Sequence, residues 1–255
     1  MAEADMLCGD VNPSGKLTDT FAASFGDYPS SADFNESEDY VCYTDDIFVG
    51  YRYFETIQGA AEKVNYPFGF GLSYTTFSLE PLHCVADNQQ VDVTVRVTNT
   101  GNMAGREVAQ VYSAAPKSRL EMPRVELRAF QKTKLLAPGE AQELNLTFPT
   151  GDLASYDEKQ AAYVLPAGAY TILVGNCVRE LEEVGQFFNE EERVTEQLQN
   201  RCVPAKLPRR LKADGSFEDL KTGEYPTLYD TAGWPEKHSW DAEHILPDSR
   251  GIKIP

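Results

Sequence analysis

Residues 91–98 read VDVTVRVT, with apolar and polar side chains alternating without a slip. Successive side chains of a β-strand point to opposite faces, so this alternation predicts a strand with one buried and one exposed face. The turn chemistry that follows at residues 99–102 (NTGN) includes Gly101 and Asn102, two residue types that tolerate positive φ. The region around this strand is therefore expected to be a half-buried antiparallel sheet.

Further short strands follow along the chain, separated by turns such as 138–139 (PG) and 166–168 (PAG). About seven strands at this spacing predict a two-sheet antiparallel sandwich of immunoglobulin type over residues 76–180, with a barrel as the alternative. The additional predicted strands are 108–112, 125–129, 144–148, 163–165 and 170–174.

Both flanks of this region lack a steady period. In residues 1–75 we expect a short helix ending at Leu7 and a strand at 47–49, and the aromatic run 51–54 (YRYF) needs a surface to pack against. This part looks like the end of a domain. Residues 181–255 predict a polar tail or interdomain linker, with a short helix capped by Asn189.

The stretch 66–77 (YPFGFGLSYTTF) lies just before the predicted sandwich. Gly69 and Gly71 alternate with large apolar residues, so the backbone must bend tightly while the rings are buried. Such a segment is typical of a junction between two packed domains. We therefore predict an interdomain structural role for Pro67, Phe68, Gly69 and Gly71.

The net charge of −17 and the pI near 4.6 argue against nucleic acid or an anionic membrane as a partner. No apolar run reaches the length of a bilayer span, and the acidic first residues do not resemble a signal peptide, so a cytoplasmic location is expected. Five cysteines without short spacings predict free, mostly buried thiols. Neither a cofactor nor a metal site is predicted.

Several motifs occur in a fixed order, and together they resemble the C-terminal part of glycoside hydrolase family 3, whose best-known members are β-glucosidases. The resemblance implies that residues 1–75 are the C-terminal remnant of the family's α/β sandwich domain with its linker. It also implies that residues 76–180 are a fibronectin type III-like domain. The matching motifs are 9–17 (GDVNPSGKL), 47–54 (IFVGYRYF), 66–77, 97–101 (VTNTG), 123–130 (PRVELRAF), 152–157 (DLASYD) and 166–175 (PAGAYTILVG).

The same resemblance implies a retaining mechanism with an aspartate nucleophile in a (β/α)8 barrel and an acid/base glutamate upstream of the 9–17 motif. No residue of this chain matches either motif, so no catalytic residue is assigned and the chain alone is expected to be inactive. It would be a non-catalytic portion that supports the catalytic domains and meets carbohydrate through them. The missing barrel would lie before this segment or, as in family members of inverted order, after it. The alternatives are a stand-alone carbohydrate-binding or scaffolding module, and a partner subunit for a separately encoded barrel.

Several other side chains carry a predicted role of their own. Trp234 and Trp240 are weak substrate-binding candidates because flat indole faces suit pyranose rings, but two tryptophans in a proline-rich tail are more often anchors that pin the tail to a neighbouring domain. An architectural role at the junction is predicted for Arg52, which would stack on a ring or pair with a carboxylate. A solvated loop is favoured over a calcium site for the acidic stretch 33–46. The remaining residues with a predicted interdomain or structural role are Asn12, Pro13, Ser14, Gly15, Tyr51 and Tyr53.

Overall fold

The computed structural model describes residues 2–34, 41–200 and 207–220. It contains two short α-helices, α1 (Ala2–Cys8) and α2 (Tyr51–Phe54). Helix α1 confirms the short helix expected to end at Leu7, and it runs one residue further. The strands are β1 (Phe21–Ala22), β2 (Val64–Tyr66), β3 (Phe77–Ala86), β4 (Gln90–Asn99), β5 (Val108–Ala114), β6 (Glu126–Lys132), β7 (Ala141–Pro149), β8 (Ser155–Asp157), β9 (Ala162–Leu165), β10 (Gly168–Gly175), β11 (Leu181–Asn189), β12 (Arg193–Gln197), β13 (Arg209–Leu211) and β14 (Phe217–Asp219).

Two antiparallel sheets form the centre of the molecule. One has the strand order β3-β4-β7 and the other the order β11-β10-β5-β6. The sheets share no strand, so the predicted sandwich is confirmed and the barrel alternative is wrong. A small sheet of order β12-β9-β8 lies beside them, and among the described residues no helix is long and apolar enough to cross a membrane.

The core between the two sheets follows the alternation that residues 91–98 predict. The four valines of β4 that point inward are at most 1% exposed, and the polar residues between them are half-buried. The inward side chains of the facing sheet close the core, among them Val111, Tyr170 and Ile172. Since each Å² of apolar surface removed from water contributes about 25 cal/mol, this core is the main source of the sandwich's stability.

A second apolar cluster covers the outer face of the four-stranded sheet. Tyr112, Val125 and Val178 are buried there, and Tyr51 and Phe68 pack against them. Both of the latter come from residues 2–34 and 41–75, which we call the first segment. The first segment is therefore docked on the sandwich, and the aromatic run 51–54 has the packing surface that its composition requires.

Two local predictions are wrong. Residues 47–49 form a turn and an extended piece that pairs with none of the described strands, and Phe48 within it is buried. Asn189 does not cap a helix. It ends β11, and its buried Nδ2 donates to the carbonyls of Leu165, Pro166 and Glu191. Strand β11 pairs with β10 along its whole length, so the sheet runs past residue 180, the predicted limit of the domain.

Candidate functional site

The junction between the first segment and the sandwich brings together most of the residues singled out by the sequence. Helix α2 starts after Gly50, whose φ is +56°, and it buries Phe54 on one side while Tyr51 faces the sandwich. The Tyr51 ring lies 4.5 Å from Phe68 and 6.3 Å from Tyr112, centroid to centroid. Its hydroxyl accepts a hydrogen bond from the Leu127 N–H at 3.0 Å, which satisfies the polar end of the ring.

The chain bend at Gly69 fits into a space without room for a side chain. Gly69 has φ +80°, and a Cβ built on it would lie 2.6 Å from Gln110 Oε1 and 3.0 Å from Cys177 Cα. The Gln110 amide is itself held, because its Nε2 donates to the Asn176 carbonyl at 2.7 Å and its Oε1 accepts from the Tyr112 hydroxyl at 2.5 Å. Burial raises the pKa of the Tyr112 phenol, so this hydroxyl remains a donor.

The turn in the 9–17 motif packs directly on the 66–77 stretch. The Leu17 N–H donates to Phe70 O at 2.8 Å and the Gly69 N–H donates to Leu17 O at 2.9 Å. The Gly15 carbonyl occupies the place where a Gly71 side chain would stand. Two backbones this close explain why a glycine stands at position 71.

Asn12 connects three parts of the chain. Its Nδ2 donates to Ala104 O at 3.1 Å, and its Oδ1 accepts from Ser73 Oγ at 3.0 Å and from Tyr74 N at 2.8 Å. Pro13 follows it in a stretch without regular secondary structure. The Ser14 carbonyl accepts from Lys132 Nζ at 2.8 Å. These contacts fit the structural role predicted for the 9–17 motif, which stays a prediction.

Ion pairs complete the junction. Glu55 has a side chain only 6% exposed, and it lies between Arg179 (2.8 Å) and Arg124 (3.4 Å) of the sandwich. Arg52 Nε lies 3.4 Å from Glu126 Oε1, an ion pair without hydrogen-bond geometry. Tyr53 points elsewhere, with its ring 5.0 Å from that of Phe54. The interdomain role of these residues stays a prediction, since only a functional measurement tests it.

The described part of the chain offers little for catalysis. A cavity of about 440 Å³ between the 9–17 motif and the 102–106 loop holds one carboxylate, Asp10, and one guanidinium, Arg106. Glycoside hydrolysis by the usual scheme needs two facing carboxyl groups. Within residues 2–34, 41–200 and 207–220, no three His, Cys, Asp or Glu side chains are grouped to hold a metal ion.

The remaining candidate side chains are a histidine, the cysteines and the two tryptophans. His83 is exposed on β3. Cys177 is buried and Cys84 half-buried, and burial raises the pKa of the Cys84 thiol, which disfavours the reactive thiolate. Trp234 and Trp240 lie outside the described residues, so the predicted sugar platform stays a prediction.

Comparison with known proteins matches the two sides of the junction separately. The model for the glycosyl hydrolase family 3 C-terminal domain matches residues 1–74, and the model for the fibronectin type III-like domain matches residues 107–177. "Beta-glucosidase A" of Butyrivibrio fibrisolvens is 44% identical over 260 residues, which cover 94% of this chain and 31% of that protein. "Thermostable beta-glucosidase B" of Acetivibrio thermocellus is 38% identical over 184 residues, with 71% of this chain and 24% of that protein covered.

Solved structures agree with these matches. A β-glucosidase from Paenibacillus barengoltzii superimposes with a TM-score of 0.77 at 44% identity, covering 86% of this chain and 25% of that one. β-Glucosidase 3B from Thermotoga neapolitana, in complex with α-D-glucose, gives a TM-score of 0.70 at 43% identity, covering 76% and 27%. This chain thus spans about a third or less of the length of the relatives that it matches.

Proposed function

Because the chain belongs to the C-terminal region of glycoside hydrolase family 3, we propose that it is the non-catalytic portion of a β-glucosidase-like enzyme. Its role would be to support the domains that hydrolyse β-glucosides, and its partners would be those domains. The observation that carries this proposal is the coverage, since most of each matched relative has no counterpart in these 255 residues.

The exposed apolar surface supports the same proposal. Eleven of the twenty-one exposed large hydrophobic side chains belong to the first segment, which makes up only about a third of the described residues. Leu7, Tyr43 and Leu72 are 85%, 84% and 70% exposed. This enrichment of exposed apolar side chains in one segment fits a surface that another part of the protein covers.

The sheet of the first segment points in the same direction. Strands β1 and β2 form a two-stranded sheet of two and three residues. Such a sheet is too small to be stable without neighbours. We therefore propose that the rest of an α/β domain packs on the first segment, while the sandwich braces it from the opposite side through the junction.

The division into residues 1–75, 76–180 and 181–255 remains part of the proposal, except that β11 is assigned to the sandwich because it pairs with β10. A cytoplasmic location is also part of the proposal. Cys8, Cys84 and Cys177 are free thiols in the structure, which fits a reducing compartment.

Enzyme assays with a chromogenic β-glucoside test the proposal. The purified chain is expected to give no turnover, and mixing it with the unmatched part of the Butyrivibrio fibrisolvens relative is expected to give activity above that part alone. Leu72→Asp places a charge on the first segment and should weaken this gain, whereas Phe188→Asp on β11 of the sandwich, at 65% exposure, serves as the comparably exposed control. Turnover by the purified chain itself, tracking it through each purification step, would contradict the proposal.

A further inference from the structure

Residues 207–220 form a hairpin that neither matched family model covers, since those models end at residues 74 and 177. Strand β13 pairs antiparallel with β14, and Gly215 closes the turn with φ +84°. Each strand has only three residues. An isolated hairpin this short is not stable in water, so contacts with the rest of the molecule must hold it.

On one side the hairpin binds the first segment. The Leu211 N–H donates to the Thr44 carbonyl at 2.7 Å, and the Leu211 side chain is buried at 2% exposure. The Arg209 Nη2 lies 3.2 and 3.4 Å from the two carboxylate oxygens of Asp33. Gly215 packs so closely on Ile57 that a Cβ there would lie 2.9 Å from Ile57 Cγ2.

On the other side the hairpin binds two connections of the sandwich. The Arg210 Nη1 lies 2.6 Å from Glu158 Oε1, in the turn between β8 and β9. In the connection between β5 and β6, Glu121 accepts from the Ala213 N–H at 3.1 Å, and Lys212 Nζ lies 3.6 Å from its other oxygen. The same short hairpin therefore contacts both units across the line where they meet.

Carboxylates are crowded where the first segment meets the sandwich, and this explains the role of the hairpin's cations. Burial raises the pKa of Asp45, and the Asp33 carboxylate adds to the effect. Asp46 is exposed at the surface, yet partial desolvation by the surrounding protein raises its pKa; Glu158 and Glu121 add to that shift and the Arg210 guanidinium opposes it. Carboxylates of both units thus repel one another in a chain of net charge −17, and the hairpin places cations between them.

We propose that residues 207–220 are a clasp that holds the first segment on the sandwich, with buried Leu211 as its anchor. The clasp goes beyond the proposed function, because it assigns a role to residues outside both family models and does not depend on glycosidase activity. It would fix the orientation of the surface that the first segment presents to the rest of an α/β domain.

Hydrogen–deuterium exchange of the full chain, read by mass spectrometry, tests the clasp. Leu211→Ala is expected to raise amide exchange in residues 44–57 by about tenfold or more, because burial of a leucine side chain stabilises the closed state by more than the free energy that corresponds to a factor of ten. Arg210→Gln leaves Leu211 in place and should raise amide exchange in residues 44–57 by about threefold, as expected for the loss of partly exposed ion pairs. Leu198→Ala, at a partly exposed leucine outside the hairpin, is the matched control and should change nothing.

Strands β4 and β7 report on the sandwich core in the same spectra. Their exchange should stay within about twofold of the wild type in all three variants, because opening of the clasp is a local event. If the hairpin amides open in Leu211→Ala while residues 44–57 keep wild-type exchange, the hairpin does not hold the first segment. If β4 and β7 lose protection together with residues 44–57, the hairpin belongs to one cooperative core. Either result would overturn the proposal.

Discussion

Replacing Gly69 by alanine tests whether the junction between the first segment and the sandwich is as tightly packed as the structure shows. Two costs add at this position. The first is conformational, since a residue with a Cβ at φ +80° pays about 1–2 kcal/mol for the left-handed conformation. The second is steric, because the new methyl group would lie 2.6 Å from Gln110 Oε1 and 3.0 Å from the backbone at Cys177.

The steric cost follows from the hydrogen bonds of Gln110. The methyl group can be accommodated only if the Gln110 side chain moves, which breaks its bonds to the Tyr112 hydroxyl and the Asn176 carbonyl. Each such bond contributes about 1 kcal/mol net, and more when a buried partner is left unsatisfied. Gly69→Ala should therefore reduce the free energy of unfolding by about 3–4 kcal/mol, a large share of the roughly 5–15 kcal/mol typical of a domain.

Two other glycines of the first segment serve as controls. Gly59 has φ +79°, but a Cβ at this position would meet nothing within 4 Å, so Gly59→Ala carries the conformational cost alone, about 1–2 kcal/mol. Gly15 has neither a positive φ nor a neighbour within 4 Å, and Gly15→Ala should change the free energy of unfolding by less than about 0.5 kcal/mol.

Urea unfolding followed by far-ultraviolet circular dichroism measures all three variants. With a denaturant slope of about 2 kcal/mol/M, the midpoint should fall by about 1.5–2 M for Gly69→Ala, by about 0.5–1 M for Gly59→Ala and hardly at all for Gly15→Ala. Equal midpoints for Gly69→Ala and Gly59→Ala would refute the reasoning, because they would mean that Gln110 yields without cost and that the junction is loosely packed.

Two further predictions concern charged groups. Glu55→Gln removes the buried charge between two arginines of the sandwich and should lower the free energy of unfolding by about 1–2 kcal/mol, a figure discounted for the partial exposure of both arginines. The control Glu143→Gln, in an exposed ion pair, should lower it by less than about 0.5 kcal/mol. Equal urea midpoints for the two variants would contradict this prediction. For Asp157, burial raises the pKa, but hydrogen bonds from Arg119, from the Lys159 N–H and from Gln160 outweigh it and leave the pKa below its usual value. The stabilisation from this carboxylate is then fully present above about pH 4 and is lost as the pH falls through the lowered pKa. The difference in urea midpoint between wild type and Asp157→Asn should therefore disappear in acid. A difference that does not change with pH would show that the ionised carboxylate is not the source of the stabilisation.

Much of the sandwich follows from local pattern. The alternation in residues 91–98 predicts both the existence of β4 and the face that it buries, because the side-chain period of a strand is independent of its partners. The glycines at 69 and 71 likewise predict a tight bend of the backbone, whereas the close approach of the Gly15 carbonyl to Gly71 is known only from the structure.

Other features depend on partners distant in sequence. Strand β11 has weak alternation, and it becomes a strand because β10 offers it a ladder of backbone hydrogen bonds. Residues 47–49 have a suitable composition for a strand but meet no such ladder. Asn189 looks like a helix cap in sequence, yet three carbonyls surround its amide in the folded chain.

The amino-acid sequence by itself determined the sandwich, its buried faces and the membership in a family, because periodicity, turn chemistry and ordered motifs are local properties of the chain. Only the tertiary structure decided that the first segment docks on the outer face of the four-stranded sheet and that residues 207–220 bridge the two. The reason is physical: an ion pair such as Arg209 with Asp33, 176 positions apart, or a backbone bond from Leu211 to Thr44, exists only after distant segments have packed.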